Sequence, residues 1–255
     1  MDFSGKVVLV TGAGRGIGAA LARAFAARGA AVAVNYLRRE ATARAVADEC
    51  RAAGGDGVAL QADVNDAGEA AALVERTVAE FGRIDVLVNN ALAPYAFDPE
   101  QRKRFGELAW ADYQQQFDGA VGAAFHTCRA VLPHLRQRAQ GAIVNLVSNL
   151  VEHPLVPYHD YTTAKSALVG FSRNLAAEVG PLGVRVNCVA PGLVYPTESS
   201  AGTRAAFRDA VAAATPLRRI ARPEDIAGPV LFLASEWSGF MTGQVLFVDG
   251  GLVMR

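Results

Sequence analysis

Residues 6–18, KVVLVTGAGRGIG, constrain the fold more than any other stretch of the chain. Lys6 to Val10 is a short, apolar, β-branched run, the composition of a parallel strand buried on both faces. It breaks at Thr11-Gly12, and an alanine-rich amphipathic segment begins at Gly16. Strand, glycine turn and helix N-terminus follow one another without a gap. Gly12, Gly16 and Gly18 suit a backbone that turns sharply, approaches a phosphate and lets helix pack on strand. The helix start offers unpaired N–H groups and a positive dipole end to a pyrophosphate.

The same alternation runs through the chain. Strands are expected at 31–36, 57–61, 84–88, 142–147, 184–189 and 245–248. Helices are expected at 40–53, 66–81, 158–179 and 223–234, with another ending near Arg138. A long irregular segment precedes that helix, and an unassigned region follows Pro191-Gly192. Strands separated by helices imply parallel pairing through right-handed crossovers. The expected fold is α/β, a doubly wound, Rossmann-like parallel sheet with helices on both faces. No composition break or repeat divides residues 1–255, so one domain is expected. Ligands of such sheets bind beyond the carboxyl ends of the strands. Gly12 to Gly18, Asn35 to Arg39, Asp63, Asn89-Asn90, Ser148 and Pro191-Gly192 all fall at such ends.

Acidic and basic residues balance at 25 each, without a basic stripe, so neither nucleic acid nor an anionic membrane is an expected partner. Apolar runs stay short of membrane-spanning length, and the first residues lead into the strand without a charged-then-apolar leader. The three cysteines, Cys50, Cys128 and Cys188, form no CxxC or Cys/His ligand pattern, and the four histidines lack metal-ligand spacing. A cytoplasmic protein with reduced thiols and no metal is expected.

Tyr161 and Lys165, four residues apart, share one helical face. A phenol titrates near 10, and a neighbouring ammonium stabilises its phenolate. Lys165 so placed would lower the Tyr161 pKa, although the pair alone reads equally as an ordinary partly buried Tyr above a surface Lys. Ser148 ends the preceding strand and reads either as a loop-starting serine or as a hydroxyl for a substrate oxygen.

These residues, with TGAGRGIG, resemble the short-chain dehydrogenase/reductase family in type, order and spacing. The resemblance extends over nearly the whole chain through Asp63-Val64, DVLVNNA from Asp85, VNCVAPG from Val186 and TGQVLFVDGG from Thr242. It implies a catalytic Ser148, Tyr161 and Lys165. It also implies that Gly12, Arg15, Gly16, Ile17 and Gly18 hold the pyrophosphate and adenosine ribose. Asp63 and Val64 would border the adenine, Asn90 would lie along the cofactor, and Lys165 beside Tyr161 would hold the nicotinamide ribose. Pro191, Gly192, Val194 and Thr197 would cover the nicotinamide, while Asp249 is expected to be structural. A homotetramer is implied, with contacts through helices around 107–138 and 158–179.

The chain departs from that pattern twice. Leu92 stands where the family usually has glycine, and 113–125 contains no asparagine, although the family places a proton-relay asparagine in that helix. Asp118 is expected to hold the relay water, with Gln116 as the alternative. Gly119 and Gly122 would let the helix bend there.

NADP(H) is the expected cofactor. Asn35 stands where NAD-preferring members carry an acidic residue, and Arg38, Arg39 and Arg15 suit a 2′-phosphate. Within the family the chain resembles 3-oxoacyl-[acyl-carrier-protein] reductases, so a 3-oxoacyl thioester is the expected ketone, small or carrier-bound. Another ketone, a sugar or a steroid is the alternative, and a non-catalytic cofactor sensor is the reading from another class. Residues 92–106 and 194–215 are expected to wall the substrate pocket. His153, Tyr158, His159 and Tyr195 are candidate lining residues, and Arg129, Arg136 and Arg138 a candidate basic rim.

Overall fold

The computed structural model describes residues 1–254. Seven parallel strands form one sheet in the order β3-β2-β1-β4-β5-β6-β7. They are β1 (Val7–Val10), β2 (Ala31–Tyr36), β3 (Asp56–Gln61), β4 (Val86–Asn89), β5 (Gly141–Leu146), β6 (Val184–Pro191) and β7 (Val245–Val248). The helices are α1 (Gly16–Ala26), α2 (Glu40–Ala52), α3 (Ala67–Phe81), α4 (Trp110–Phe117), α5 (Ala123–Gln137), α6 (His159–Val179), α7 (Ala205–Ala214) and α8 (Pro223–Ala234).

Alternation along β1 shows why the sheet is covered twice. Val8 and Val10 join one core with Leu21 and Phe25 of α1, Val46 of α2 and Ile226 and Leu233 of α8. Val7 and Leu9 point the other way, toward Leu73 of α3, Val131 and Leu135 of α5 and Val179 of α6. Burying a side chain such as Phe25 or Leu73 contributes about 2–3 kcal/mol, so the apolar strand runs hold both helix layers. Cys50, Cys128 and Cys188 are buried free thiols. Strand order reverses between β1 and β4, which both extend from the sheet centre. The crevice beyond their carboxyl ends is where such a sheet receives a ligand.

Two elements differ from the sequence expectation. Residues 205–214 form α7 inside the region left unassigned. The helix expected to end near Arg138 is two helices, α4 and α5, joined through a wider π-type turn at Asp118–Gly122. Packing explains the turn: a side chain at Gly119 would come 2.3 Å from the Ala93 Cβ, so the segment after β4 crosses the helix backbone there. Among the described residues no helix is long and apolar enough to cross a membrane.

Candidate active site

The glycine turn is shaped by what it touches. Gly12 and Gly16 have φ of +62° and +53°, backbone that a side chain disfavours. A Cβ on Gly18 would lie 2.5 Å from the Gly12 carbonyl oxygen and 2.6 Å from the Asn90 amide nitrogen. Asn90 closes the loop from beneath, donating to the carbonyls of Thr11 at 2.9 Å and Gly12 at 3.1 Å. The Thr11 hydroxyl accepts from the Asn90 and Ala91 amides, so β1 and β4 are tied at the switch point. A turn whose glycines keep the backbone open, at the head of α1, fits a pyrophosphate.

Asn35 has a different place from the one expected. Its Oδ1 accepts from the Gly12 amide at 3.1 Å and its Nδ2 donates to the Ala62 carbonyl at 3.1 Å, with the residue buried. A buried amide must find such partners. Asn35 therefore braces the turn instead of presenting its amide to a ribose. Arg39, rather than Arg38, converges with Arg15: both guanidiniums bond the Glu198 carboxylate, Arg39 at 2.6 Å. Asp63 accepts from the Asn65 amide at 2.9 Å at the end of β3, beside buried Val64. Gly192 lies against Asp249, where a Cβ would approach to 2.9 Å, and Val194 bridges to Ala221. Thr197 packs over Gly16, 3.8 Å from where a side chain there would begin. Asp249 is structural, accepting from Asn149, Gly251 and Val253.

Ser148 follows β5, and its Oγ accepts from the Leu150 amide at 3.2 Å. Tyr161 and Lys165 lie one turn apart on α6, both buried, with the ammonium 5.9 Å from the Tyr161 ring centroid. Lys165 donates to the Leu146 carbonyl at 2.7 Å. Burial lowers the Lys165 pKa to about 8. Burial also pushes Tyr161 up to about 12, while the Ser148 hydroxyl works in the opposite direction. Lys165 is not among the influences on the Tyr161 pKa: desolvation of the phenol is the larger one, opposed by the Ser148 hydroxyl.

A buried polar chain sets the helix that carries the pair. Thr127 of α5 donates to Asn89 Oδ1 at 2.7 Å, and Asn89 Nδ2 donates to Asn145 Oδ1 at 2.8 Å. Asn145 Nδ2 then donates to Ser172 Oγ at 2.8 Å, and Ser172 donates to the Leu168 carbonyl at 2.7 Å. Four elements are thus fixed in one relative position below the site. Sequence reasoning missed Thr127, Asn145 and Ser172. The available signal was an asparagine inside the apolar run GAIVNL, which no buried strand accommodates without partners.

The segment after β4 roofs Tyr161. Tyr95 stacks on its ring, Phe97 meets it edge-on with centroids 5.1 Å apart, and Leu92, Val156 and Tyr158 complete the cluster. The departure at Leu92 therefore fills space beside the Tyr161 ring. Residues 92–106 and 194–215 do meet: the Phe97 amide donates to the Ser199 carbonyl at 2.8 Å, and Arg204 pairs with Glu100 at 2.6 Å. Of the other lining candidates, His153 is exposed, His159 packs near Phe105 and Tyr195 under Arg208.

Two expectations fail on position. Asp118 is exposed on the π turn, while Gln116 is the buried polar residue of α4, so Asp118 is not placed to hold a water against buried Lys165. Arg138 pairs with Asp85 at the amino-terminal edge of β4, and Arg136 lies nearby on α5. That is the end of the sheet opposite Ser148, so these arginines do not rim the substrate pocket.

Residues 12–253 match the family model described as enoyl-(acyl carrier protein) reductase. An uncharacterized oxidoreductase of Methylorubrum extorquens is 43% identical over 98% of both chains. A 7alpha-hydroxysteroid dehydrogenase of Escherichia coli is 32% identical over 100% of this chain and 97% of its own. A 3-oxoacyl-[acyl-carrier-protein] reductase of Synechocystis is 36% identical over 99% and 98%. A solved short-chain type dehydrogenase/reductase of Mycobacterium marinum superposes with a TM-score of 0.86 at 30% identity, covering 100% and 97%. The chain belongs to the short-chain dehydrogenase/reductase family. A crystal structure described as an NADH-dependent reductase responsible for alginate metabolism also superposes, with a TM-score of 0.87 at 30% identity over 99% of each chain.

A short-chain reductase with this site is an oxidoreductase of the nicotinamide dinucleotide class. The nucleotide, when bound, supplies or accepts the hydride. The chain's own groups manage the oxygen. Ser148 can donate to the substrate oxygen as negative charge develops, and Tyr161 can pass it a proton. Lys165, anchored on the Leu146 carbonyl, places a cation near the phenol.

Proposed function

We propose that this short-chain reductase uses NADPH to reduce a ketone to a secondary alcohol, with a 3-oxoacyl thioester as substrate. The observation that carries the cofactor choice is the convergence of Arg15 and Arg39 on one carboxylate at the edge of the glycine turn. Guanidiniums held on an anion are placed to take a 2′-phosphate. The apolar roof of Leu92, Tyr95 and Phe97 suits an acyl chain, and the Synechocystis relative's name supports the thioester. The same apolar roof and the name of the Escherichia coli relative support a steroid ketone as the second reading. A purely cofactor-sensing role is disfavoured because Ser148, Tyr161 and Lys165 are assembled together. We take the protein to be cytoplasmic and homotetrameric, the latter supported by exposed Trp110 and Phe125 along the expected contact helices.

The test is oxidation of NADPH and NADH with acetoacetyl and longer 3-oxoacyl thioesters, a sugar ketone and a steroid ketone. NADPH should be consumed with a higher kcat/KM than NADH, and the thioesters should lead the panel. Equal kcat/KM for the two nucleotides would overturn the cofactor choice. A steroid ketone outpacing every thioester would overturn the substrate.

A further inference from the structure

Glu198 is bound in a way that its position in the chain does not require. It belongs to the loop after β6, yet its carboxylate lies between two guanidiniums from the other half of the sheet. Oε1 accepts from Arg39 Nη2 at 2.6 Å, and Oε2 pairs with Arg15 Nη1. Arg15 immediately precedes α1 and Arg39 immediately precedes α2, so each guanidinium starts from a helix head at the carboxyl end of a strand. The neighbouring Thr197 rests on Gly16 and is locked by a reciprocal hydroxyl contact with Ser200 at 2.8 Å. The Ser199 carbonyl takes the Phe97 amide, and Phe97 packs on Tyr161. One short stretch, 197–200, thus spans from the glycine turn to the roof of the catalytic ring.

We propose that Glu198 is a resident anion in the position a cofactor 2′-phosphate takes, competing with it for Arg15 and Arg39. The inference rests on the NADP(H) reading above. Three features support competition over a permanent brace. All three side chains are about half exposed, at 53%, 47% and 54% for Arg15, Glu198 and Arg39, so solvent and ligand reach the cluster. Exposed ion pairs are weak and salt-sensitive, so a phosphate can replace the carboxylate. Two arginines and one carboxylate leave one positive charge, and a dianionic phosphate neutralises the arginine pair better than a single carboxylate does. Glu198 then acts as a specificity-determining residue: a nucleotide without the 2′-phosphate lacks the charge to take both arginines from it. Displacing Glu198 also loosens 197–200 from the glycine turn, and with it the Ser199–Phe97 contact over Tyr161.

The experiment measures binding of 2′,5′-ADP and ADP by titration calorimetry to wild type, Glu198→Gln and Glu198→Gln/Arg39→Ala, at low and high salt. These probes carry no nicotinamide, so the readout is independent of turnover. Glu198→Gln should bind 2′,5′-ADP about three- to thirtyfold tighter than wild type, with ADP changed less than about twofold. The gain should shrink at high salt and vanish in the double variant. Thermal unfolding of Glu198→Gln within a few degrees of wild type excludes loss of the fold. If wild type prefers 2′,5′-ADP but Glu198→Gln shows no gain, or tightens both probes equally, the competition is refuted while the NADP(H) reading stands. If wild type binds the two probes equally, the NADP(H) reading fails and the role of Glu198 falls with it.

Discussion

Tyr95 lies on Tyr161 with ring centroids 5.0 Å apart and planes 29° from parallel, so the Tyr161 phenol is roofed by a residue from a different element. The roof is pinned, because the Tyr95 hydroxyl donates to Asp160 Oδ1 at 3.1 Å, one residue before Tyr161 itself. Burial is the first cause of the high Tyr161 pKa and the Tyr95 ring is part of that cover, so uncovering it has a definite sign. Tyr95→Ala should bring Tyr161 ionisation from about 12 down toward the ordinary 10. Alkaline absorbance titration of Tyr95→Ala against Tyr95→Ala/Tyr161→Phe isolates that phenol. An unchanged midpoint would show that the cover does not set the pKa.

Tyr161→Phe keeps the ring in its aromatic cluster and deletes the donor. Turnover should fall by about 10²–10⁴, while nucleotide affinity stays within about twofold. Steady-state rates with nucleotide titrations check both. A variant keeping more than about a tenth of wild-type turnover would remove Tyr161 from the proton step.

Lys165 makes stability depend on pH in the alkaline range. Its pKa falls from 10.5 to about 8 on folding, so between those values the unfolded chain holds more protons and wild-type stability rises with pH. Below pH 8 the folded protein bears the whole cost of the buried ammonium, about 3 kcal/mol. Lys165→Met lacks that proton. Its stability relative to wild type should therefore be most favourable near pH 7 and decline toward pH 10 by up to that amount. Urea unfolding across the range, without added nucleotide, measures the difference; a constant difference would contradict the depressed pKa.

Asn145→Leu removes the middle of the polar chain and strands the Asn89 amide, while the Ser172 hydroxyl keeps its bond to the Leu168 carbonyl. Leaving a buried group unpaired costs about 1–3 kcal/mol, less whatever Asn89 recovers by donating to Cys128 at 3.5 Å. A loss of about 1–3 kcal/mol is expected in denaturant unfolding, with a lower kcat because α6 loses its anchor. A loss under about half a kcal/mol would mean that the chain is not load-carrying.

Asp118→Ala should leave kcat unchanged between pH 6 and 8, because the side chain points to solvent. A drop in kcat that buffer restores would return Asp118 to the proton path.

What the sequence disclosed was mostly local. β2, α8 and β7 have the bounds that the sequence pattern predicts, since turn residues and apolar runs mark them. The glycine turn and the Ser148, Tyr161 and Lys165 set were legible because their spacing is short or their resemblance strong. Residues whose role depends on distant partners were not. Asn35 reads as a residue at the cofactor until its amide is seen bonded to Gly12 and Ala62. Glu198 is one more acidic loop residue until two arginines from elsewhere close on it. Helix α7 escaped notice because the Ser- and Gly-containing run before it reads as loop, and it buries only Val211. The π turn depends on Ala93 pressing against Gly119, a contact between segments that no helical periodicity encodes.

The bond between the Phe97 amide and the Ser199 carbonyl has a consequence for recombining this enzyme with its relatives. The two stretches it joins lie outside the strands and, in the function proposed above, carry the side chains that face an incoming ketone. Grafting either one alone would bring in a contour shaped against a missing counterpart, and the hybrid should bind both parents' ketones poorly. Exchanged together, and with Thr197 and Glu198 kept for their contacts with Gly16, Arg15 and Arg39, they form a cassette that can be transplanted onto the sheet without disturbing the buried asparagines.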